Sequence, residues 1–278
     1  MSTQVKARDA MQFINEQNAA TLERFIERLE YRGTDPTFVA YRDEYLKLVD
    51  LPPTGTVLDL GCGTGVVTRA LAARDGFAGT VTGVDQSPEF IAAAQRLAAD
   101  GGVDDRIAFV VGDVHALDLP AASVDAVVAH TLISHVRDPL VVLGEAGRMV
   151  RPGGSVAVFD GDYGSLTFDC SDPRLGESME RAVQSMIMSS PRVMRELPRL
   201  LSQVGLQLIA TQAHVYAEAG SSSFMLNLAK TYGPLVASTG LLPSSDVDAW
   251  LADQSRSAED GTFFAACNYY AFVARAAL

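Results

Sequence analysis

Three acidic residues and a run of glycines carry the chemistry most visible in this chain. Asp59 stands two residues ahead of Gly61-Cys62-Gly63-Thr64-Gly65, and that turn opens a helical pattern at Val66. Glycine tolerates positive φ and lets a ligand approach the backbone with no Cβ in the way, while the first N–H groups of the helix stay free. An anionic side chain at position 59 can meet a ligand ammonium. Asp85, twenty residues after Gly65 and followed by Gln86, ends the next apolar run, where a carboxylate can accept both ribose hydroxyls of a nucleoside. Gly112-Asp113-Val114 closes the third run, and an acid there can bond the exocyclic amine of adenine.

A second group of reactive side chains follows the fourth and fifth apolar runs. His130-Thr131-Leu132-Ile133-Ser134-His135 comes after the fourth, and Asp160-Gly161-Asp162-Tyr163 after the fifth. Histidine, with an ordinary pKa of about 6.5, suits a base near neutrality. His135 is accordingly a candidate catalytic residue, with Asp160, Asp162 and Tyr163 beside it to bind a cationic acceptor, orient the imidazole or donate a hydrogen bond. The plainer alternatives are that His135 packs and bonds its loop and that the Asp-Gly pairs cap turns. Two histidines and one of these aspartates would complete a facial triad for a metal, but the spacing is not helical and no metal is expected.

These residues have to be positioned by elements that the patterning also reveals. Short apolar runs at Thr56-Leu60, Thr80-Val84, Ile107-Val111, Val124-Ala129 and Ser155-Phe159 alternate with helical patterns at Val66-Arg74, Pro88-Ala99 and Pro139-Val150. Near-continuous apolar strands between helices predict a parallel sheet covered on both faces, with right-handed crossovers: a doubly wound α/β fold. Ligands of such sheets bind beyond the carboxyl ends of the strands, where these motifs fall. Ahead of the sheet, residues 8–49 carry helical spacing interrupted by Gly33-Thr34-Asp35-Pro36, which defines an N-terminal helical cap over residues 1–50. Beyond Phe159, a loop and two helical stretches (172–188 and 192–204), a strand at 206–215, a mostly helical 221–250 and an aromatic-rich strand at 263–274 are expected. Segments 161–204 and 216–260 then read as lid insertions into a domain spanning 51–278. Residues 8–45 and 165–240, rich in Phe, Tyr and Met, are expected to close the site.

Composition narrows the partners. The 278 residues carry 22 Lys and Arg against 34 Asp and Glu, a formal net charge of −12, with no basic run. Nucleic acid is therefore not expected, and a small neutral or cationic molecule suits the balance better. Cys62, Cys170 and Cys267 form no CxxC pair, which argues against structural zinc or a disulfide framework. Residues 1–18 lack the apolar core of a signal peptide and no span of about 18 apolar residues occurs, so a soluble, cytoplasmic protein without a membrane partner is expected. Oligomeric state is not legible.

Taken in order, Val57-Leu58-Asp59-Leu60-Gly61-Cys62-Gly63-Thr64-Gly65 resembles motif I of the class I methyltransferases that use S-adenosylmethionine (SAM). Val84-Asp85-Gln86-Ser87 resembles their ribose segment and Gly112-Asp113-Val114 their adenine segment. Asp118-Leu119-Pro120 through Ser123-Val124-Asp125-Ala126-Val127 resembles the entry to their fourth strand, and Leu143 to Gly154 the helix and turn before their fifth. The five matches cover residues 56–160 and resemble the ubiquinone/menaquinone-biosynthesis type that acts on small molecules. The resemblance implies SAM as cofactor, His130 near its methionine part, and a Rossmann-like seven-stranded sheet of order 3-2-1-4-5-7-6 with strand 7 antiparallel. Asp85 departs mildly, since the family often places Glu there. The implied reaction is methyl transfer to O, N or C of a small, largely apolar acceptor, as in secondary metabolism. Other readings are a SAM-binding protein that performs a non-methyl reaction such as a cyclisation, a nicotinamide oxidoreductase, and a non-catalytic module. The dinucleotide turn requires a third glycine where this chain has Val66, and Asp59 would repel a pyrophosphate.

Overall fold

In the computed structural model, which describes residues 9–277, six strands running in one direction and one antiparallel strand form one sheet in the order β3-β2-β1-β4-β5-β7-β6. The parallel set is β1 (Thr56–Leu60), β2 (Thr80–Asp85), β3 (Ile107–Val111), β4 (Val124–His130) and β5 (Val150–Phe168). Strand β7 (Phe263–Ala276) runs antiparallel between β5 and β6 (Leu206–Gly220). The strand order reverses at β1, which lies between β2 and β4, so the crevice of the doubly wound sheet opens above the end of β1.

Side-chain alternation along the strands builds two cores. Val57, Val81, Ala126, Val128 and Phe159 face one side, while Leu58, Leu60, Val84, Val127 and Val158 face the other. The second side is covered by α5 (Pro139–Met149) and α7 (Val193–Gln203), the first by α1 (Ala19–Thr34), α2 (Pro36–Leu46), α3 (Val66–Ala72), α4 (Pro88–Asp100), α6 (Pro173–Ile187), α8 (Phe224–Thr239) and α9 (Ser244–Glu259). Near-continuous apolar strands follow from burial on both faces.

Local sequence explains where the helices start. Asp35 ends α1 and caps α2, its carboxylate accepting from the Thr37 and Phe38 amides with Pro36 in the first helical position. Ser87, Asp138 and Asp172, each followed by proline, start α4, α5 and α6 in the same way.

Two expectations change. The segment before α1 is not α-helical: residues 9–18 form turns and a short 3-10 turn at Ile14–Glu16. The part of the expected 1–50 cap before Asp9 lies outside the described residues. Strand β5 does not end at Phe159 but continues to Phe168, with a register shift against β7 between Asp162 and Thr167, so Asp160-Gly161-Asp162-Tyr163 belongs to the sheet and not to a loop. A buried antiparallel neighbour, β7, supplies the backbone partners that a turn reading of Asp-Gly ignores. Among the described residues no helix is long and apolar enough to cross a membrane.

Candidate functional site

The turn after β1 takes its shape from backbone geometry that side chains would oppose. Gly61 sits at φ +63°, and a Cβ there would run into the Leu132 side chain. Gly65, at φ +79°, caps α3 from the left-handed region. Its missing Cβ makes room for Phe109 of β3, so it serves packing and is not among the residues lining the cavity above the turn. That cavity, about 1400 Å³ counting the part open to solvent, is lined by Asp59, Gly61, Cys62, Gly63, Asp85, Gln86, Gly112, Asp113, Val114, His130 and His135 among others.

The three acids differ in environment. Asp59 is 1% exposed and accepts the Thr68 hydroxyl at 2.6 Å. Burial raises its carboxyl to about 7, helped by the charge of Asp85 and opposed by Thr68. Asp85 ties the two halves of the crevice together, accepting from the Gly63 amide and from the Ser87 amide, both at 2.9 Å. Burial raises its pKa too, against those amide bonds. Asp113 is braced by His115, whose Nδ1 lies 2.6 Å from Oδ1. Burial would raise that carboxyl, but the His115 amide and imidazole bonds and nearby Arg137 outweigh it and hold it low. Cys62 is buried, and burial pushes its thiol well up, so it stays neutral.

A cover lies over this crevice. Leu29, Arg32 and Gly33 of α1 and Phe38, Val39 and Arg42 of α2 line the cavity with Met11–Ile14. Glu30 accepts the Thr64 hydroxyl at 2.5 Å and pairs with Arg69 at 2.7 Å. The Gln86 amide donates to the carbonyls of Met11 and Gln12 at 3.1 and 3.2 Å, and Asn15 donates to the Gln86 carbonyl at 3.0 Å. Gln86, expected on the cofactor, thus holds the cover. Asp9 is the other fastening: it accepts from the Ser189 amide at 2.9 Å and pairs with His135 Nδ1 at 2.9 Å.

His130 ends β4 with its Nδ1 2.9 Å from the Tyr45 hydroxyl and its ring stacked on Phe159, on which Tyr45 also stacks. Burial lowers its pKa well below 6.5, and Arg32 and Arg42 lower it further. Thr131 follows at φ +52°, rare for a β-branched residue. It is fixed by its own N–H to the Phe159 carbonyl at 2.6 Å and by Arg32, whose Nη2 donates to Thr131 Oγ1 at 2.6 Å. Strain of this kind, over-determined by its surroundings, gathers at functional sites.

The other candidates are placed elsewhere. Asp160 is fully buried and accepts the Ser134 and Gly161 amides at 3.0 and 2.8 Å, shaping the β4–α5 loop from behind. Asp162 pairs with Arg195 at 2.7 Å. Tyr163 is buried edge-on to Tyr269, and burial pushes its phenol well up. None of the three lines the cavity. Segment 165–240 does not line it either: Met179, Met186, Phe224, Met225 and Tyr232 are buried core, and Tyr232 and Phe224 carry Arg28 of α1 over their rings. These helices support the cover and do not form it. Among the described residues no group of three or more His, Cys, Asp or Glu is arranged to hold a metal ion.

Sequence reasoning missed Arg32, Arg42, Arg137, Thr131 and His115. Only the fold brings the two cap arginines to the end of β4. The cap carries five arginines, Arg8, Arg24, Arg28, Arg32 and Arg42, and nothing in their spacing singles out the two that line the cavity.

Comparison with known proteins supports the motif reading. A family model described as a methyltransferase domain matches residues 58–158. An uncharacterized 37.1 kDa protein in transposon TN4556 of Streptomyces fradiae is 30% identical over 253 residues, 90% of this chain and 71% of that one. The 2-methyl-6-phytyl-1,4-hydroquinone methyltransferase of Synechocystis sp. is 38% identical over 123 residues, 44% of this chain and 37% of its own length. The chain belongs to the class I SAM-dependent methyltransferases. The fold agrees with a geranyl diphosphate C-methyltransferase of Streptomyces coelicolor A3(2), solved with S-adenosylhomocysteine (SAH), at TM-score 0.54 and 19% identity over 85% of this chain and 75% of that one. Its cofactor is SAM. The match to the hydroquinone enzyme spans under half of that protein, so its substrate does not carry over.

The crevice fits the cofactor on its own terms. A buried carboxylate at Asp59 with a raised pKa calls for a cation, and the left-handed Gly61 and Gly63 leave the backbone open beneath the cavity. The nicotinamide reading fails at Val66, which lines the cavity where a dinucleotide turn needs glycine.

Proposed function

We propose that this methyltransferase moves the methyl group of SAM to a small, largely apolar acceptor held between the end of β4 and the N-terminal cover. One observation carries this reading: a single cavity is lined both by the cofactor motifs and by Phe13, Ile14, Leu29, Phe38 and Val39 of the cover. Asp59 would receive the cofactor ammonium, Asp85 the ribose hydroxyls and Asp113 the adenine amine, with Gly61, Cys62, Gly63, Gly112 and Val114 forming the floor. SAM supplies a methyl group activated on a sulfonium. In-line transfer then needs alignment and a dry site more than acid or base assistance. The cover provides both, since Met11–Ile14 and α1–α2 exclude water and set the direction of approach. His130 positions the acceptor, while His135 acts through Asp9 to keep the cover shut.

Calorimetry with SAH tests the core of this reading. The full chain is expected to bind it, and Asp85→Ala should weaken binding by about tenfold or more, as loss of hydrogen bonds to a charged group implies. Absence of SAH binding would sink the assignment. Consumption of an acceptor with no SAH formed would point to a non-methyl reaction on the same scaffold.

A further inference from the structure

The end of the cavity beside the last residues of β4 presents donors. Arg32 reaches it from α1, held to Thr131 at 2.6 Å. Arg42 reaches it from α2, its Nε and Nη2 on Asp43 Oδ1 at 2.9 and 2.8 Å, with Arg42 only 15% exposed. Both line the cavity, and both sit close enough to His130 to disfavour its charge. The proton position on that ring follows from Tyr45. The Tyr45 hydroxyl is fully buried, and His130 Nδ1 is its only hydrogen-bond partner among the described residues. A buried O–H without an acceptor is costly, so the hydroxyl donates and Nδ1 accepts. The neutral imidazole therefore carries its proton on Nε2, and His130 offers the cavity a third donor and no base.

Among the described residues, the one carboxylate on these donors, Asp43, is engaged by Arg42. Asp9 and Asp160 bias His135 toward its cationic form, outweighing burial, and Asp59, Asp85 and Asp113 belong to the cofactor side.

Resting on the methyltransferase reading, we propose that the acceptor enters as an anion: an apolar molecule with a carboxylate or an ionised phenol or enol, its oxygen received by Arg32, Arg42 and the Nε2–H of His130. Such an acceptor needs no proton removed before it reacts. Its oxygen lone pair forms the bond to the methyl carbon while the carbon–sulfur bond breaks and that electron pair stays on sulfur. The negative acceptor and the positive sulfonium both end neutral, so the donors hold the substrate more firmly than the product. The assignment reverses the preference for neutral or cationic substrates that the net charge suggested, because the field of a site is set by its lining.

The test titrates acceptor analogues into the full chain saturated with SAH. Benzoate, cinnamate and 4-nitrophenolate at pH 8 are each compared with an uncharged twin (amide or methyl ether) and with benzylamine. The anions should bind about tenfold or more tightly than their twins, as charge-assisted bonds to guanidinium imply. Arg42→Gln should remove that preference and Arg42→Lys restore part of it, with SAH affinity within about twofold of the parent. The proposal is overturned by equal binding of the twins, by tighter binding of benzylamine, or by no binding of any anion. It is equally overturned if Arg42→Gln costs about tenfold in SAH affinity, because the arginine would then serve the carboxylate of the cofactor. Failure of the unsubstituted chain to bind SAH would instead defeat the methyltransferase reading beneath it. The comparison of twins on the unsubstituted chain decides the matter even if a variant does not fold.

Discussion

At the scale of single residues, Asp59 is where the sequence and the chemistry meet most directly. It was legible as an acid before a glycine turn; its raised pKa was not, because burial depends on Thr68 and on strands β2 and β4 folding around it. The sign of the consequence follows. A carboxyl raised from 3.8 to about 7 by burial is protonated below neutrality in the free protein, and its deprotonation costs stability as pH rises through that range. A cofactor ammonium stabilises the carboxylate, so binding releases the proton. SAH affinity should therefore rise between pH 5.5 and 7, approaching tenfold per unit, and level off above. Calorimetry in buffers of different ionisation enthalpy should register the released proton. Asp59→Asn should bind more weakly at pH 8 and show a flat profile; a profile unchanged by the substitution would remove Asp59 from the cofactor contacts.

At the scale of elements, the cover is the part that sequence patterning described least well. Helical spacing found α1 and α2, and Asp35-Pro36 marked their junction correctly, since capping chemistry is local. Residues 9–18 were misjudged because their order comes from distant partners: Gln86, His135 and Ser189. The Asp9–His135 pair makes this order pH-dependent. Burial lowers the His135 pKa, but Asp9 and Asp160 outweigh it and raise it above 6.5. For a histidine raised on folding, the stabilisation is complete below the unfolded pKa and lost as pH rises through the folded one. The Met11 and Gln12 amides, which donate to Asp9 Oδ1 at 2.9 and 3.3 Å, should be well protected from hydrogen exchange at pH 6. At pH 9 they should exchange faster, after correction for the intrinsic rate, while the amides of β1 and β4 change little. In His135→Gln the protection should be lower and independent of pH. Equal protection of the unsubstituted chain at both values would mean that the ion pair does not hold the segment.

At the scale of the whole molecule, the sheet was legible to an unusual extent, because apolar runs buried on both faces announce themselves and the five motifs fix their order. The far half of β5 was hidden: residues 160–168 look like a loop until β7, a hundred residues later, supplies their partners. The charge at the acceptor end was hidden for a similar reason, as Arg32 and Arg42 lie far in sequence from His130. The molecule thus sets a net charge of −12 around the two arginines of the proposed acceptor end, and the two act on different length scales. Repulsion of an anionic acceptor by the surface acts over distances beyond the Debye length of about 10 Å at 0.1 M salt, whereas bonds to partly buried guanidiniums are screened far less. With an anionic acceptor, kcat/KM should rise by about twofold between 20 and 200 mM NaCl, as long-range repulsion is screened. A neutral twin should show no such change. Initial rates of SAH release across that salt range distinguish the cases: a steep fall with salt would mean that long-range attraction dominates, and that the acidic surface does not govern how the acceptor arrives.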